Sequence, residues 1–216
     1  MSIAVLILGN SGSGKSTSLR NLDPSKTFLV QCIKKPLPFK ADGWKQRITL
    51  KSPGNIFRTS DPVEIERLMR QSPQEVFVVD DYQAVMVNEL MTRSSETGYG
   101  KFTDIGKNAW NIFNAAGEVA EHRRVYILAH TQTDELGQVR MKTVGKLVDQ
   151  HIVPEGFFTI VLRTDVINGN YRFATQTNGQ DCCKSPIGMF NDMHIPNDLA
   201  EVDKAICEFY GLTATV

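Results

Sequence analysis

The stretch "LILGNSGSGKSTSLRNL", residues 6–22, decides the fold. An apolar run ends at Gly9, Gly14 follows five positions later, and then come Lys15 and Ser16. Residues 9–16 therefore fit the spacing G-x-x-x-x-G-K-[ST]. Between a strand end and a helix start, consecutive backbone N–H groups point inward and make a concave seat for phosphate oxygens. Gly12 and Gly14 allow the backbone angles and the close approach this needs. Asn10, Ser11 and Ser13 complete the loop. Lys15 reaches β- and γ-phosphates, Ser16 offers a hydroxyl to Mg²⁺, and Thr17 is placed for the α-phosphate. The apolar residues 3–8 read as a strand buried on both faces. Residues 15–22 read as a helix stopped by Asp23-Pro24. That frame separates the loop from a chance glycine-rich turn.

A phosphate loop of this kind needs an acid at a neighbouring strand end to hold the metal. "VFVVDD", residues 76–81, supplies Asp80 after four apolar residues. Asp81 has two readings, a general base for an attacking water or a cap for the helix that follows. "VYILAHTQ", residues 125–132, ends another buried strand in polar residues, so His130 and Gln132 are candidates to sense a γ-phosphate. A histidine hydrogen-bonded to loop backbone is the other reading of His130. "TQTD", residues 131–134, lacks the lysine of a guanine-reading motif, which argues against a GTPase.

Strand and helix patterns alternate over the first two thirds of the chain, the grammar of a parallel α/β sheet. Strands are expected at residues 27–32, 76–80 and 125–129, with a short one at 46–51. Helices are expected from Asp61 to about Gln71, at 82–93 and at 102–122. Asp61-Pro62-Val63-Glu64 reads as an N-cap, a first-turn proline and a capping-box acid. The last third changes character. Residues 134–142 read as a hairpin centred on Gly137, and residues 157–176 as a longer one turning at Asn168-Gly169. A closing helix over 197–210 ends before Gly211.

The 216 residues, 41% hydrophobic, suit a single domain, 1–216, with a substantial core. Net charge is zero, so global charge does not point to nucleic acid. Locally, Lys34, Lys35, Lys40, Lys45, Arg47, Lys51 and Arg58 crowd residues 32–60 against Asp42 alone. Cys32, Cys182, Cys183 and Cys207 have no C-x-x-C spacing, which excludes the usual zinc pattern and suits reduced thiols in a cytosol. No apolar run is long enough to span a membrane, and the apolar N-terminus runs straight into the glycine loop, unlike a signal peptide. A soluble cytoplasmic protein is the expectation.

The order "GNSGSGKST", "VFVVDD", "VYILAHTQ", "DELGQVRMKTVGK" and "CCKSPIGMF" resembles phage nucleotide-binding ATPases of the AAA/RecA superfamily. More narrowly, it resembles the core-only RecA-like single-strand annealing proteins of phages. The resemblance covers nearly the whole chain. It implies a RecA-like P-loop core, a mainly parallel sheet flanked by helices and extended by antiparallel hairpins. ATP and Mg²⁺ are the implied cofactors, single-stranded DNA and a cognate single-strand-binding protein the implied partners, and the host-cell cytoplasm the implied location. It also implies a homo-oligomer with nucleotide between subunits, for which Lys184 is the candidate cation reaching a neighbour's nucleotide; an ordinary surface lysine is its other reading. Two loops would contact DNA, through Arg93, Lys101, Arg140, Lys142 and Lys146 on phosphates and Tyr99 and Phe102 on bases. One departure stands out. Such enzymes place a glutamate after the second core strand, whereas residues 28–40, "FLVQCIKKPLPFK", offer Gln31 and no acid. Either Asp81 takes that role, or hydrolysis is slow and ATP acts as a conformational ligand. Two alternative readings stand beside it: a small-molecule or nucleotide kinase, with no arginine-dense lid to support it, and a non-catalytic nucleotide-gated DNA-binding module, favoured by the missing glutamate.

Overall fold

The structure, a computed structural model, describes residues 1–47, 51–145 and 148–212. Its centre is the first apolar run. β1 (Ile3–Gly9) sends Ala4, Leu6 and Leu8 to one face of the sheet and Val5 and Ile7 to the other. Val5, Leu6, Ile7 and Leu8 have no exposed surface; burying each such side chain contributes about 1.5–3 kcal/mol. A strand covered on both faces carries no alternation, which explains why the run is continuously apolar.

The other parallel strands are β2 (Thr27–Gln31) and β4 (Val76–Asp80), buried throughout, β3 (Ile56–Arg58), buried only at Ile56, and β5 (Arg124–Thr133) and, beyond β6 (Val139–Met141), β7 (Ile160–Ile167), whose first residues are buried and whose last ones are not. β8 (Asn170–Ala174) and β9 (His194–Pro196) add antiparallel strands. The sheet order is β3-β2-β4-β5-β1-β7-β8-β9, with β6 paired antiparallel to the end of β5. It is a mixed α/β fold with a nine-stranded, mostly parallel sheet. β1 therefore lies between β5 and β7, and β5 separates it from β4. All the parallel strands point their carboxyl ends the same way, the end at which α/β sheets seat ligands.

Helices cover both faces. α1 (Pro62–Gln71), α2 (Gln83–Thr92) and α3 (Gly100–Glu118) pack on the face holding Leu6, Phe77 and Ile127. α4 (Leu199–Tyr210) and Leu19 pack on the face holding Ile7, Val78 and Leu128. α3 uses Ile105, Ala109, Ile112, Phe113 and Ala116, one stripe of a 3.6-residue period. All four cysteines are free.

Several boundaries differ from the sequence reading, each for a local reason. The expected helix at 15–22 is a 3₁₀ helix, Ser16–Asn21. The extended Leu22 and the Asp23-Pro24 step leave it too short for an α-helical ladder. Asp61 caps α1 through Val63 N–H and Glu64 N–H, but the Glu64 side chain meets Arg67, so the reciprocal half of the capping box is not made. α3 starts at Gly100 and ends at Glu118. α4 starts at Leu199, where Asp198 accepts from Ala200 N–H. Gln46 forms a single bridge to Ile56, and the rest of the expected strand at 46–51 falls largely on residues 48–50, outside the described residues. β5 runs past Ala129 to Thr133 because β6 pairs with its polar end.

Candidate functional site

β1 delivers the glycine loop to the carboxyl end of the sheet. Gly12 and Gly14 have φ of +77° and +96°, the left-handed region that favours glycine. Gly9 is needed for a different reason: a Cβ there would lie 1.8 Å from Thr164 Oγ1 of β7. The Ser13 hydroxyl donates to Asn10 O (2.7 Å) and meets Thr164 Oγ1, tying the loop to β7. Thr131 Oγ1 donates to Asn10 Oδ1 (2.6 Å), tying it to β5.

Lys15 is 5% exposed and folds back over the loop. Its Nζ donates to Gly9 O (2.8 Å) and Asn10 O (2.9 Å) and stands 3.5 Å from His130 Nδ1. Burial pushes its pKa down to about 8, with Asp80 and Asp81 pulling the other way. Ser16 Oγ lies 2.8 Å from Asp80 Oδ2 and 3.0 Å from Oδ1. Asp80 is buried at the tip of β4; burial, and then the charge of Asp81, raises its carboxyl to about 6.

The Asp81 side chain lies in the cleft and does not cap α2. α2 has no side-chain cap, and the Asp81 carboxylate pairs with Lys35 Nζ at 2.5 Å and approaches His130 Nε2 at 3.9 Å. Its backbone is left-handed, φ +59°, at a cost of about 1–3 kcal/mol. His130 ends the buried part of β5. Burial first, then the charge of Lys15, lowers its pKa, with Asp81 pulling the other way. Gln83 of α2 accepts from His130 N–H (2.6 Å) and donates to Lys142 O (2.7 Å), joining the β5 tip to the segment after β6.

Lys15, Ser16, Asp81 and His130 line one cleft of about 380 Å³, with Asp80 buried behind Ser16. Ser11, Gly12, Gly14, Lys15, Ser16 and Thr17 form its floor; Lys35, Pro36 and Pro38 form one wall, and Tyr171 rises on the rim beside Gly14. Ser16 and Asp80 are hard oxygen donors side by side. They fit a divalent cation such as Mg²⁺, which takes one or two protein ligands and keeps its waters. Among the described residues no group of three or more His, Cys, Asp or Glu forms a denser metal site.

Other candidates stand elsewhere. Gln132 is turned away and donates to Asp149 Oδ1 (2.8 Å). Lys184 is exposed, bridged through its backbone to Val161 of β7, outside the cleft lining. Arg93 is held by Glu89, Glu96 and Asp104 at 2.7–3.3 Å, so its charge is already matched. Lys101 donates to Glu96 O (2.8 Å) and lies over the Phe102 ring. Phe102 packs against Gly145, which brings the two loops expected to bind DNA together. Tyr99 is 87% exposed. Arg140 is 3.7 Å from Asp134, and Lys142 is exposed. Lys146 lies outside the described residues.

The sequence reading did not single out Lys35, Tyr171, Thr164 or Gln83. Lys35 belonged to a noted basic run, but nothing in the run told it from its neighbours. Tyr171 reaches the cleft only because the β7–β8 hairpin folds beside β1.

No protein-family model matches the chain, and no curated protein matches it. Among the described residues, no helix is long and apolar enough to cross a membrane.

Proposed function

We propose that this protein binds ATP with Mg²⁺ in the glycine-loop cleft, hydrolyses it slowly, and couples it to binding of single-stranded DNA as a RecA-like core. One observation carries the reading: a glycine loop with two left-handed glycines and a buried lysine line one cleft, and Ser16 on its floor is hydrogen-bonded to the buried Asp80 carboxylate behind it. A second supports the RecA-like form of it. β5 lies between the glycine-loop strand and the acid-bearing strand, so His130 stands between Lys15 and Asp81.

In this reading the backbone N–H groups of residues 11–16 and Lys15 hold the phosphates. Ser16 and Asp80 hold the cation, which supplies charge neutralisation between the phosphate oxygens. His130 is placed to hydrogen-bond the terminal phosphate. Gln31 sits buried at the tip of β2 in register with Asp80, where a glutamate would be the stronger base. That favours low turnover and nucleotide acting as a conformational ligand. The Gln83 link carries a change at His130 to residues 142–145, next to Phe102. Strand annealing, phage recombination, a homo-oligomer using Lys184 between subunits and a single-strand-binding partner follow from the resemblance. Tyr99 and Lys142 are exposed candidates to meet DNA, Lys101 and Arg140 would do so by exchanging their contacts to Glu96 O and Asp134, and Arg93, held by three carboxylates, is matched already.

The test is ATP turnover and single-strand DNA binding by the wild type and Lys15→Ala at two salt concentrations. Binding should weaken steeply with salt, depend on nucleotide, and lose that dependence in Lys15→Ala. No DNA binding under any nucleotide condition sinks the DNA half. Phosphate transfer to a small acceptor would promote a kinase.

A further inference from the structure

Lys35 follows β2 on the wall of the cleft facing the glycine loop. Pro36 comes next, and a residue before proline is restricted to extended backbone. Gln31 Nε2 donates to Lys35 O (3.3 Å), and Gln31 is in turn held by Arg58 Nε (3.4 Å). The backbone of Lys35 is thus anchored, while its long side chain, 40% exposed, is free to swing. Lys35 Nζ sits on the Asp81 carboxylate, which is 7% exposed. Lys15, across the cleft, rests on carbonyl oxygens instead. The cleft so holds two cations, one on a fixed seat and one stored on a carboxylate, both lining the same space as His130.

Resting on the nucleotide reading above, we propose that Lys35 is a second phosphate-binding cation. It is stored on Asp81 in the empty cleft and moves to the terminal phosphate of a bound triphosphate, which frees the Asp81 carboxylate. Asp81, 7% exposed, must be neutralised when no phosphate is present, since a desolvated unpaired charge is costly. The salt bridge to Lys35 meets this requirement, and one side-chain movement exchanges it for another. Asp81 is then free to take a proton from a water whose oxygen bonds to the terminal phosphorus. The bond from that phosphorus to the bridging oxygen breaks, and its electron pair leaves with the diphosphate. Lys35 touches the terminal phosphate and not the others, so it separates triphosphate from diphosphate.

The experiment measures affinities for a non-hydrolysable ATP analogue and for ADP in the wild type, Lys35→Ala, Lys35→Arg and Lys35→Ala/Asp81→Asn. Lys35→Ala should weaken the triphosphate about tenfold, the scale of one charge-assisted hydrogen bond, and change ADP by less than about twofold. Lys35→Arg should keep most of the preference. The double variant should not recover it. Equal effects on both nucleotides, no effect on either, or recovery in the double variant would each overturn the proposal; recovery would reduce Lys35 to a neutralising partner of Asp81. A wild type that binds neither nucleotide overturns the nucleotide reading itself, and this proposal with it. Circular dichroism of each variant, including the one altered at the buried Asp81, checks that the fold is intact.

Discussion

Lys15 carries a positive charge that the fold makes expensive. Its pKa falls from 10.5 to about 8 on burial, a difference worth about 3 kcal/mol. The sign follows from linkage: the folded state binds this proton less tightly than the unfolded chain. The cost is therefore complete below about pH 8 and disappears as pH rises toward 10.5. Against it stand two hydrogen bonds to Gly9 O and Asn10 O, each worth about 1 kcal/mol. Lys15→Met should accordingly make the nucleotide-free protein more stable by about 1 kcal/mol at pH 7 while removing nucleotide binding. Urea denaturation at pH 7 and pH 10 checks it, with the advantage of the variant shrinking at the higher pH. A variant less stable than wild type at pH 7 would mean the carbonyl bonds outweigh the charge. Lys35 illustrates the opposite case, a cation whose partner lies 46 positions away in the chain (81 minus 35) and brings the charge to rest.

The β7–β8 hairpin is the element that closes the cleft beside the glycine loop, and its turn is chemically simple. Asn168 and Gly169 have φ of +52° and +78°, the two-residue turn whose twist matches the strands. A Cβ on Gly169 would meet nothing within 4 Å, so Gly169→Ala tests backbone strain alone. It should cost about 1 kcal/mol and show as a lower urea midpoint. An unchanged midpoint would mean the turn relaxes into another conformation. This turn was legible in the sequence because its residues are dictated locally, as were Asp61 at the start of α1 and the continuous apolar runs of β1, β4 and β5. The glycine loop and Asp80 were legible for the same reason. What was not legible depends on partners distant in the chain. β3 and β9 are three residues each and exist because β2 and β8 offer edges. Gln132 and His130 are two residues apart on one strand, yet one meets Asp149 and the other the cleft. Arg93 looked free until Asp104, from the next helix, was folded onto it.

For the whole molecule the decisive strand is β5, which both helical layers share. On the α4 face, Arg124 is buried and bidentate to Asp203, with Nε and Nη2 at 2.9 and 2.8 Å. The Tyr126 hydroxyl donates to the same carboxylate, and Glu75 stands 3.6 Å from Arg124. Burial lowers the Arg124 pKa, but the bonds and charge of Asp203 more than reverse this, so it is raised overall. Asp203→Ala would leave a buried guanidinium and an orphaned phenol. Removing one partner of a buried pair costs about 3–5 kcal/mol, and Glu75, retaining part of the attraction, places the loss near the lower end. Replacing both partners, Arg124→Met/Asp203→Leu, should recover much of it, because no buried charge is then left without a partner. The two tryptophans make the consequence measurable, since Trp44 belongs to the α4-side core and Trp110 sits on α3 across the sheet. If the sheet joins both layers into one cooperative unit, Asp203→Ala must lower the unfolding midpoint seen by each tryptophan, in single-tryptophan versions, by the same amount. A midpoint that falls for Trp44 alone would make the α4 layer a separately unfolding unit, docked on a parallel core that stands without it.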